Sequence, residues 1–187
     1  MEVSKTYIVK KSKTYQMAGV GIMAALMSVL GPLSIPIGPV PISLTNLVIF
    51  VALYVLGMKN ATISLFIYLL VGFIGLPVFS GFSSGPAKLL GPTGGYLIGF
   101  IFMALVAGYF IDKFINNWLL CMGGMVLATA ICYGFGTAWL AYQANLTARA
   151  ALAAGVIPFI LGDLIKILVV SYIGPQIRTR LIKANLY

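Results

Sequence analysis

Hydrophobic residues run along this chain in long stretches, separated by short polar, glycine-rich or proline-rich segments. A helix that crosses a bilayer takes about 20 mostly apolar residues, so this pattern predicts transmembrane helices. We distinguish six of them, which cover residues 15–30, 42–58, 61–78, 89–111, 117–142 and 151–174. The expected fold class is therefore all-α, an integral membrane bundle of six transmembrane helices.

The connections between these helices differ in character. Four prolines lie within residues 32–41, and because proline lacks an N–H, an ordered but irregular loop is expected there. Lys59 and Asn60 predict a tight turn between the second and third helices. A glycine- and serine-rich loop, residues 80–86, follows the third helix, and Asp112 marks the end of the fourth.

The composition places these helices in lipid. Of the 187 residues, 61% are hydrophobic and 8% are charged, whereas a soluble domain carries about 25% charged residues. Such a chain cannot cover its own surface with polar side chains in water. This excludes an ordinary soluble enzyme and a nucleic-acid-binding domain, and it makes membrane lipid the expected surrounding.

The few charges also predict an orientation. With six crossings, nine of the twelve Lys and Arg residues fall on the side that carries both termini. Basic residues accumulate on the cytoplasmic side of membrane proteins, so both termini are expected in the cytoplasm. The predicted organisation is a basic cytoplasmic segment at residues 1–14, a six-helix transmembrane domain at 15–175 and a basic cytoplasmic tail at 176–187.

The sequence contains few residues that could support catalysis. The chain has no histidine and three acidic residues, which is poor material for a proton relay, a metal centre or the Mg²⁺ site of an ATPase. Cys121 and Cys132 would lie about 16 Å apart along one helix, too far for a disulfide, and are expected as buried free thiols. We therefore expect no enzyme activity and no cofactor.

One acid and one base stand inside the sixth apolar stretch. Asp163 and Lys166 are three residues apart, which places both side chains on one face of a helix. Ionisable residues within a membrane span usually face a cavity or the bundle interior. Two interpretations remain open. The pair neutralises itself and only tightens the bundle, or it forms a polar floor for a ligand, with Asp163 accepting N–H groups and Lys166 facing a carbonyl or carboxylate.

Small residues recur with helical spacing in two places. Residues 91–100 read Gly-Pro-Thr-Gly-Gly-Tyr-Leu-Ile-Gly-Phe, with a glycine at every fourth position, and predict a helix face for close packing. Thr93 and Tyr96 supply polar groups near its outer edge. The first helix carries Gly21, Ala24 and Ala25 on one face. That stripe indicates either packing inside the bundle or docking of a separate membrane protein.

Residues 91–100 resemble the signature of BioY, the biotin-binding S component of energy-coupling-factor transporters. Three further segments resemble that family in the same order: Pro-Val-Pro at 39–41, Gly-Leu-Pro-Val-Phe at 75–79 and Gly-Asp-Leu-Ile-Lys at 162–166. The resemblance covers about residues 15–175. It implies a six-helix protein of the bacterial plasma membrane that binds biotin from outside, as a transported ligand, together with a transmembrane coupling protein and a pair of ATP-binding cassette ATPases.

The resemblance also implies roles for individual residues. Asp163 is expected to meet the ureido ring of biotin, and Lys166 to serve the ureido oxygen or the carboxylate, with Lys88 and Arg149 as competitors for the carboxylate. Tyr96 and Phe79 are expected to pack on the ring system, and the loop 80–86 to act as a lid. The small stripe of the first helix is expected to dock on the coupling protein.

Taken with Asn46, which lines a pocket or simply caps a helix, these residues form one candidate set. The expected substrate-binding residues are Asp163, Lys166, Tyr96, Thr93, Lys88, Phe79, Ser84, Asn46 and Arg149. The expected partner-binding residues are Gly21, Ala24 and Ala25. Two alternatives stay open on the sequence alone: a biotin facilitator that works without ATPases, and an S component for another vitamin.

Overall fold

The structure is a computed structural model that describes residues 13–184, so most of the predicted N-terminal segment lies outside the described residues. In chain order it contains α1 (Lys13–Leu30), β1 (Ser34–Pro36), β2 (Pro41–Ser43), α2 (Thr45–Ile74), α3 (Pro86–Leu90), α4 (Gly94–Lys113), α5 (Trp118–Gln143), α6 (Ala148–Gly155) and α7 (Ile157–Lys183). Within residues 13–184, four helical stretches are long and apolar enough to cross a membrane: α2, α4, α5 and the α6–α7 stretch Ala148–Lys183. The expectation of a mostly helical membrane bundle is confirmed.

Helix α2 turns back on itself at a glycine. Gly57 interrupts the helical backbone with φ 77° and ψ 169°, a conformation that glycine adopts at little steric cost. Asn46, at the start of the first arm, and Phe79, just after the second arm, line the same cavity, although a straight helix would hold the two ends of α2 roughly 40 Å apart. The second and third predicted helices are thus the two arms of α2, and the turn lies at Gly57, just before the expected Lys59.

The glycine-rich face of α4 packs directly on α5. A Cβ atom on Gly95 would collide with Trp139, and one on Gly99 would lie 3.0 Å from the Sγ atom of Cys132. The predicted close packing is confirmed for these two glycines. Gly91 has a different role, because it ends α3. The sequence predicts one helix from Leu89 onward, whereas the structure separates α3 from α4 at residues 91–93.

The proline-rich connection is more regular than expected. Strands β1 and β2 pair antiparallel, with Ile35 opposite Ile42, and Gly38 lies between them at φ 113°. Proline cannot donate to a strand ladder and is tolerated at sheet edges. A two-stranded hairpin consists of edges alone, so the prolines at 36 and 41 do not prevent pairing. The expectation of an irregular loop is wrong for these residues.

The last predicted helix is divided and longer than expected. Val156, with φ −129° and ψ −57°, separates α6 from α7. Helix α7 then runs through Pro175 to Lys183, past the expected start of the tail at residue 176. Arg178 explains part of this extension, because its guanidinium lies 2.7 Å from the Asp112 carboxylate at the end of α4. The ion pair fixes the last turns of α7 to the bundle.

The arms of α2 lie at the centre of the packing. This helix contacts α1, α4 and α7, while α5 contacts α4, α6 and α7. The largest fully buried side chains include Phe50, Tyr54 and Tyr68 of α2. Both cysteines are buried and free, as expected. The hairpin and the short helix α3 lie beside the starts of α2 and α4, and a cavity opens between them.

Candidate functional site

One cavity brings together residues from the hairpin, the start of α2, the segment that follows α2, and helices α3 to α7. Its empty volume is about 680 Å³ with the open mouth included, a size typical of small-molecule sites. The apolar lining includes Val40, Phe79, Leu97, Phe100, Met103 and Phe159. The polar lining includes Ser43, Asn46, Lys88, Thr93, Thr129, Tyr133, Asp163 and Lys166.

Asp163 is the centre of a buried polar cluster, which we define as Asn46, Tyr133, Asp163 and Lys166. Its Oδ1 accepts a hydrogen bond from Asn46 Nδ2 at 2.8 Å and from Lys166 Nζ at 3.0 Å. Its Oδ2 accepts a hydrogen bond from Tyr133 Oη at 2.6 Å. Asp163 is only 7% exposed. A buried carboxylate is tolerated when it is paired and hydrogen-bonded, and these three donors meet that condition.

Lys166 uses its ammonium group to tie three elements together. Its Nζ donates to Asp163 Oδ1, to Asn46 Oδ1 at 3.0 Å and to the backbone oxygen of Ser43 at 2.8 Å. An ammonium group has three N–H donors, so all of them are engaged. The pair on α7 therefore stabilises the contact with the hairpin and α2, and it also lines the cavity. Tightening of the bundle and a position in the cavity lining, which the sequence offered as alternatives, are therefore compatible for Asp163 and Lys166.

The polar cluster has room for one more donor. An ionised carboxylate offers about four lone-pair positions, and three are occupied by Asn46, Lys166 and Tyr133. Two of these donors share Oδ1, so the position that remains is on Oδ2. A ligand N–H group that reaches Oδ2 would complete the coordination of Asp163.

A second polar region of the cavity suits an anion. Thr93 is buried, and its Oγ1 has no hydrogen-bond partner within residues 13–184. It precedes α4, whose start carries the positive end of the helix dipole. Lys88 also lines the cavity, and burial lowers the pKa of its ammonium group from the ordinary value of 10.5. Neither ion pair in the described part of the chain includes Lys88.

The two aromatic candidates are each held in place by contacts with the protein. Tyr96 Oη donates to the backbone oxygen of Gly155 at 2.9 Å and lies 3.3 Å from Thr137 Oγ1. Its hydroxyl therefore joins α4 to α5 and α6. Phe79 is fully buried and meets the Tyr68 ring edge to face, with 5.6 Å between the centroids. Both residues are part of the cavity lining.

The structure brings seven of the nine candidate binding residues to this cavity and leaves two away from its lining. The seven are Asn46, Phe79, Lys88, Thr93, Tyr96, Asp163 and Lys166. Ser84 does not line the cavity, and Ser80 of the same loop does. Arg149 is exposed on α6, away from the lining. In residues 13–184, no group of three His, Cys, Asp or Glu side chains lies close enough to hold a metal ion.

Sequence reasoning missed the contribution of α5. Tyr133 donates to Asp163 and Thr129 lines the cavity beside it. A signal for both was present, because Thr129, Tyr133 and Thr137 follow one another at intervals of four residues in an apolar helix. That spacing places three hydroxyl groups on one face. The face points into the bundle, and two of its three members line the cavity.

The small-residue stripe of α1 does not form a single surface. Ala24 is 5% exposed and packs inside the bundle beside Val20 and Met27. Gly21 and Ala25 are exposed on the outer side of the helix. No atom lies within 4 Å of the position that a Gly21 Cβ would occupy. The stripe therefore packs inside the bundle through Ala24 and leaves an accessible face at Gly21 and Ala25.

The fold and the cavity together define a multi-pass membrane protein with a built small-molecule site. A model of the BioY family matches residues 4–183, and the chain belongs to that family. It is 40% identical over 164 residues to a protein of Thermotoga maritima named biotin transporter BioY, covering 87% of this chain and 95% of that protein. It is 34% identical over 182 residues to biotin transporter BioY2 of Lactococcus lactis subsp. cremoris, covering 95% and 98%.

A solved structure resembles this fold closely. It is the crystal structure of the S-component for biotin from an ECF-type ABC transporter. The two structures superimpose with a TM-score of 0.82 at 35% sequence identity, over 89% of this chain and 92% of the other. The expected resemblance to the family is confirmed by these three comparisons.

Proposed function

We propose that this chain is the biotin-binding S component of an ECF-type vitamin transporter of the bacterial plasma membrane. The observation that carries the proposal is the polar cluster around Asp163 in an otherwise apolar and aromatic cavity. Biotin combines a small bicyclic ring that bears two ureido N–H groups and one ureido oxygen with an apolar chain that ends in a carboxylate. A site for it needs hydrogen-bonding groups at one end, an apolar sleeve and a cation at the other end.

The polar cluster fits the ureido end. Asp163 has one lone-pair position left on Oδ2, which would accept one ureido N–H. Lys166 lies at the same end of the ligand, within the cluster, and would turn one of its N–H groups from a protein oxygen to the ureido oxygen. The aromatic rings of Phe79 and Tyr96 would cover the bicyclic ring from its apolar sides.

Lys88 and Thr93 fit the carboxylate end. Lys88 lines the cavity without a carboxylate partner among the described residues, and the Thr93 hydroxyl needs an acceptor or donor. A bound carboxylate would satisfy both groups and would lie at the start of α4, where the helix dipole favours negative charge. Of the three basic residues considered from the sequence, we assign the carboxylate to Lys88, because Lys166 is engaged in the cluster and Arg149 is exposed on α6.

The proposal includes six membrane crossings with both termini in the cytoplasm. The crossings would be α1, the two arms of α2, α4, α5 and α7. Two features support this count: Gly57 reverses the direction of α2, and the basic residues of the inner turns fall on the side of the termini. The cavity then opens outward, where the substrate arrives.

Energy for uptake would come from separate subunits. The chain has three acidic residues and no Gly-Lys-Ser or Gly-Lys-Thr sequence of a phosphate-binding loop. ATP hydrolysis would therefore belong to an ATPase pair, joined to this chain by a transmembrane coupling protein. The accessible face of α1 at Gly21 and Ala25 would be its docking surface, since small residues allow close helix approach in lipid.

Ligand retention tests the proposal directly. Protein purified in detergent from biotin-fed cells is denatured, and the released small molecules are identified by mass spectrometry. We expect biotin at one molecule per chain, lost in Asp163→Asn and Lys166→Ala but retained in Lys113→Ala, which changes an exposed lysine far from the cavity lining. Recovery of a different vitamin, or wild-type biotin content in both cavity variants, would contradict the assignment.

A further inference from the structure

The hairpin and the loop that follows α2 carry an unusual number of exposed apolar side chains. Leu33, Ile35, Ile37, Leu76 and Phe82 are 49%, 64%, 47%, 53% and 65% exposed. The two segments adjoin, since Gly81 N–H donates to the backbone oxygen of Pro32 at 3.1 Å. We call these five exposed apolar residues the loop patch. Connecting loops normally present polar side chains to water, so an apolar patch of this kind marks an interaction surface.

The hairpin has two different faces. Pro41 and Ser43 line the cavity, whereas Ile42 between them does not, as expected for side chains that alternate between the faces of a strand. Ile35 is the cross-strand partner of Ile42 and shares its face. The hairpin is thus a wall whose inner face belongs to the binding site. Its outer face is apolar and bears part of the loop patch.

The loop patch continues the surface that the helices present to lipid. Val29 near the end of α1 and Ile74 at the end of α2 are 65% and 70% exposed. They precede Leu33 and Leu76 in the chain by a few residues, so the apolar surface passes from the helices onto the loops without a polar border. No charged residue occurs from position 14 to 58 or from 60 to 87. These loops therefore carry no charged side chain that would favour water over lipid.

Two serine hydroxyls of these segments are hydrogen-bonded within the protein. Ser83 Oγ donates to the backbone oxygen of Ser80 at 2.8 Å, and Ser43 Oγ donates to Thr45 Oγ1 at 3.2 Å. Phe82 adopts φ 57°, a left-handed conformation that is uncommon for an aromatic residue, while its side chain stays exposed. A strained backbone that presents an aromatic ring outward suggests a function for that ring.

From these observations we propose that the loop patch lies in the lipid of the outer leaflet, so that lipid covers the outer face of the cavity wall. The partner is the acyl-chain region of the bilayer. Continuity with the lipid-facing surface of α1 and α2 favours it, as does the absence of charge. This inference goes beyond substrate identity, since it holds whichever small molecule occupies the cavity.

Introduced tryptophans test the position of the patch. Ile35→Trp and Phe82→Trp would each be placed in nanodiscs that hold one chain, and the fluorescence added to that of wild type would be measured. One quencher is phosphatidylcholine brominated on its acyl chains, and the other is acrylamide in water. Phe73→Trp on the exposed face of α2 serves as the lipid reference, and Ala144→Trp after α5 as the water reference.

We expect both patch tryptophans to follow the lipid reference, with strong loss of fluorescence in brominated lipid and little loss in acrylamide. If both follow Ala144→Trp, the patch is exposed to water, where a protein partner could cover it. That result overturns the proposal. Protection from both quenchers overturns it too, because the side chains would then be covered by the protein itself. Neither substitution touches the cavity lining, so biotin binding can be checked independently.

Discussion

Tyr133 Oη lies 2.6 Å from Asp163 Oδ2, and this hydrogen bond joins the middle of α5 to the first half of α7. The other oxygen of the same carboxylate accepts hydrogen bonds from Asn46 and Lys166. The two oxygens of Asp163 are therefore held from two directions. A ligand that uses Asp163 meets a carboxylate whose orientation is already fixed, and preorganisation of this kind reduces the entropy lost on binding.

Removal of the Tyr133 hydroxyl tests that preorganisation. In Tyr133→Phe, Asp163 Oδ2 loses its donor, and the carboxylate is held through Oδ1 alone. A hydrogen bond to a charged group is worth about 1.5–3 kcal/mol, so we expect biotin affinity to fall by roughly 10- to 100-fold. Isothermal titration in detergent measures the effect. Tyr142→Phe, at an exposed position of α5, is the matched control. Equal affinity in the two variants would mean that Tyr133 does not orient the carboxylate.

The ion pair on α7 predicts a non-additive effect on stability. In Lys166→Met, Asp163 stays buried without its cation, a loss of about 3 kcal/mol for a broken buried pair. In the double variant Asp163→Asn/Lys166→Met neither charge remains, and we expect a smaller loss of thermal stability than in Lys166→Met alone. Thermal unfolding in detergent by intrinsic fluorescence compares the variants, with Lys113→Met as an exposed control. Additive losses would show that the two charges do not interact across their 3.0 Å separation.

Lys88 predicts how biotin affinity changes with pH. Burial lowers the pKa of its ammonium group below 10.5, and a bound carboxylate stabilises only the charged form. As the pH rises through this lowered pKa, the free protein loses the proton that binding requires, so affinity should fall in the alkaline range, beginning below pH 10.5. Lys88→Arg should keep its affinity over that range, because arginine stays protonated.

The methyl ester of biotin is the control for the Lys88 prediction. It lacks the carboxylate, so its weaker binding should not change over the same alkaline range. Titration of wild type with both ligands at several pH values gives the comparison. A parallel decline for acid and ester would point to a group other than Lys88.

The packing of α4 on α5 predicts a contrast between two glycines. In Gly95→Ala, the added methyl group meets Trp139 and the backbone oxygen of Phe135, so the helices must separate. Overpacking of a tight contact costs about 1–3 kcal/mol. Gly134, on an open part of α5, has no atom within 4 Å of a Cβ position. Gly134→Ala should therefore be neutral or slightly stabilising. Thermal unfolding midpoints distinguish the two, and similar midpoints would contradict the close contact between α4 and α5.

The apolar helices can be predicted well from the sequence because each one is marked locally. Runs without charge indicate the membrane helices, and Asp112 marks the end of α4 as expected. The sequence predicts the turn within α2 two residues late, since Lys59 and Asn60 have stronger turn character than the isolated Gly57. The part of α7 beyond Pro175 is fixed to the bundle by the contact of Arg178 with Asp112. A contact between residues far apart in the chain leaves no mark in local composition.

The candidate site also combines residues that are marked locally in the sequence with residues that only the fold brings together. Asp163 and Lys166 can be found from the sequence because charges are rare in apolar segments. Tyr133 escapes such reasoning because a tyrosine in a membrane helix usually indicates the interface, and only the fold brings it to Asp163. Ser84 is a candidate because its loop is expected to act as a lid, and Arg149 is a candidate because it could serve the carboxylate. Their distance from the cavity lining follows from the paths of the loop and of α6, which spacing alone does not define.

The exposed face of α1 predicts a separation of binding from uptake. In Gly21→Leu, the new side chain extends outward, because no atom lies near the Cβ position. The fold and the cavity should therefore be unchanged, and purified Gly21→Leu should bind biotin like wild type. If the coupling protein docks on this face, the bulky side chain holds the two helices apart and uptake of labelled biotin into cells should fall to background. Gly123→Leu, at an equally open position of α5, is the matched control and should leave uptake intact.

Uptake that survives in Gly21→Leu while the ATPases are still required would place the docking surface elsewhere on the bundle. Uptake that survives without the ATPases would instead show that the chain transports biotin alone, so the experiment distinguishes the wrong docking face from the wrong transport mode.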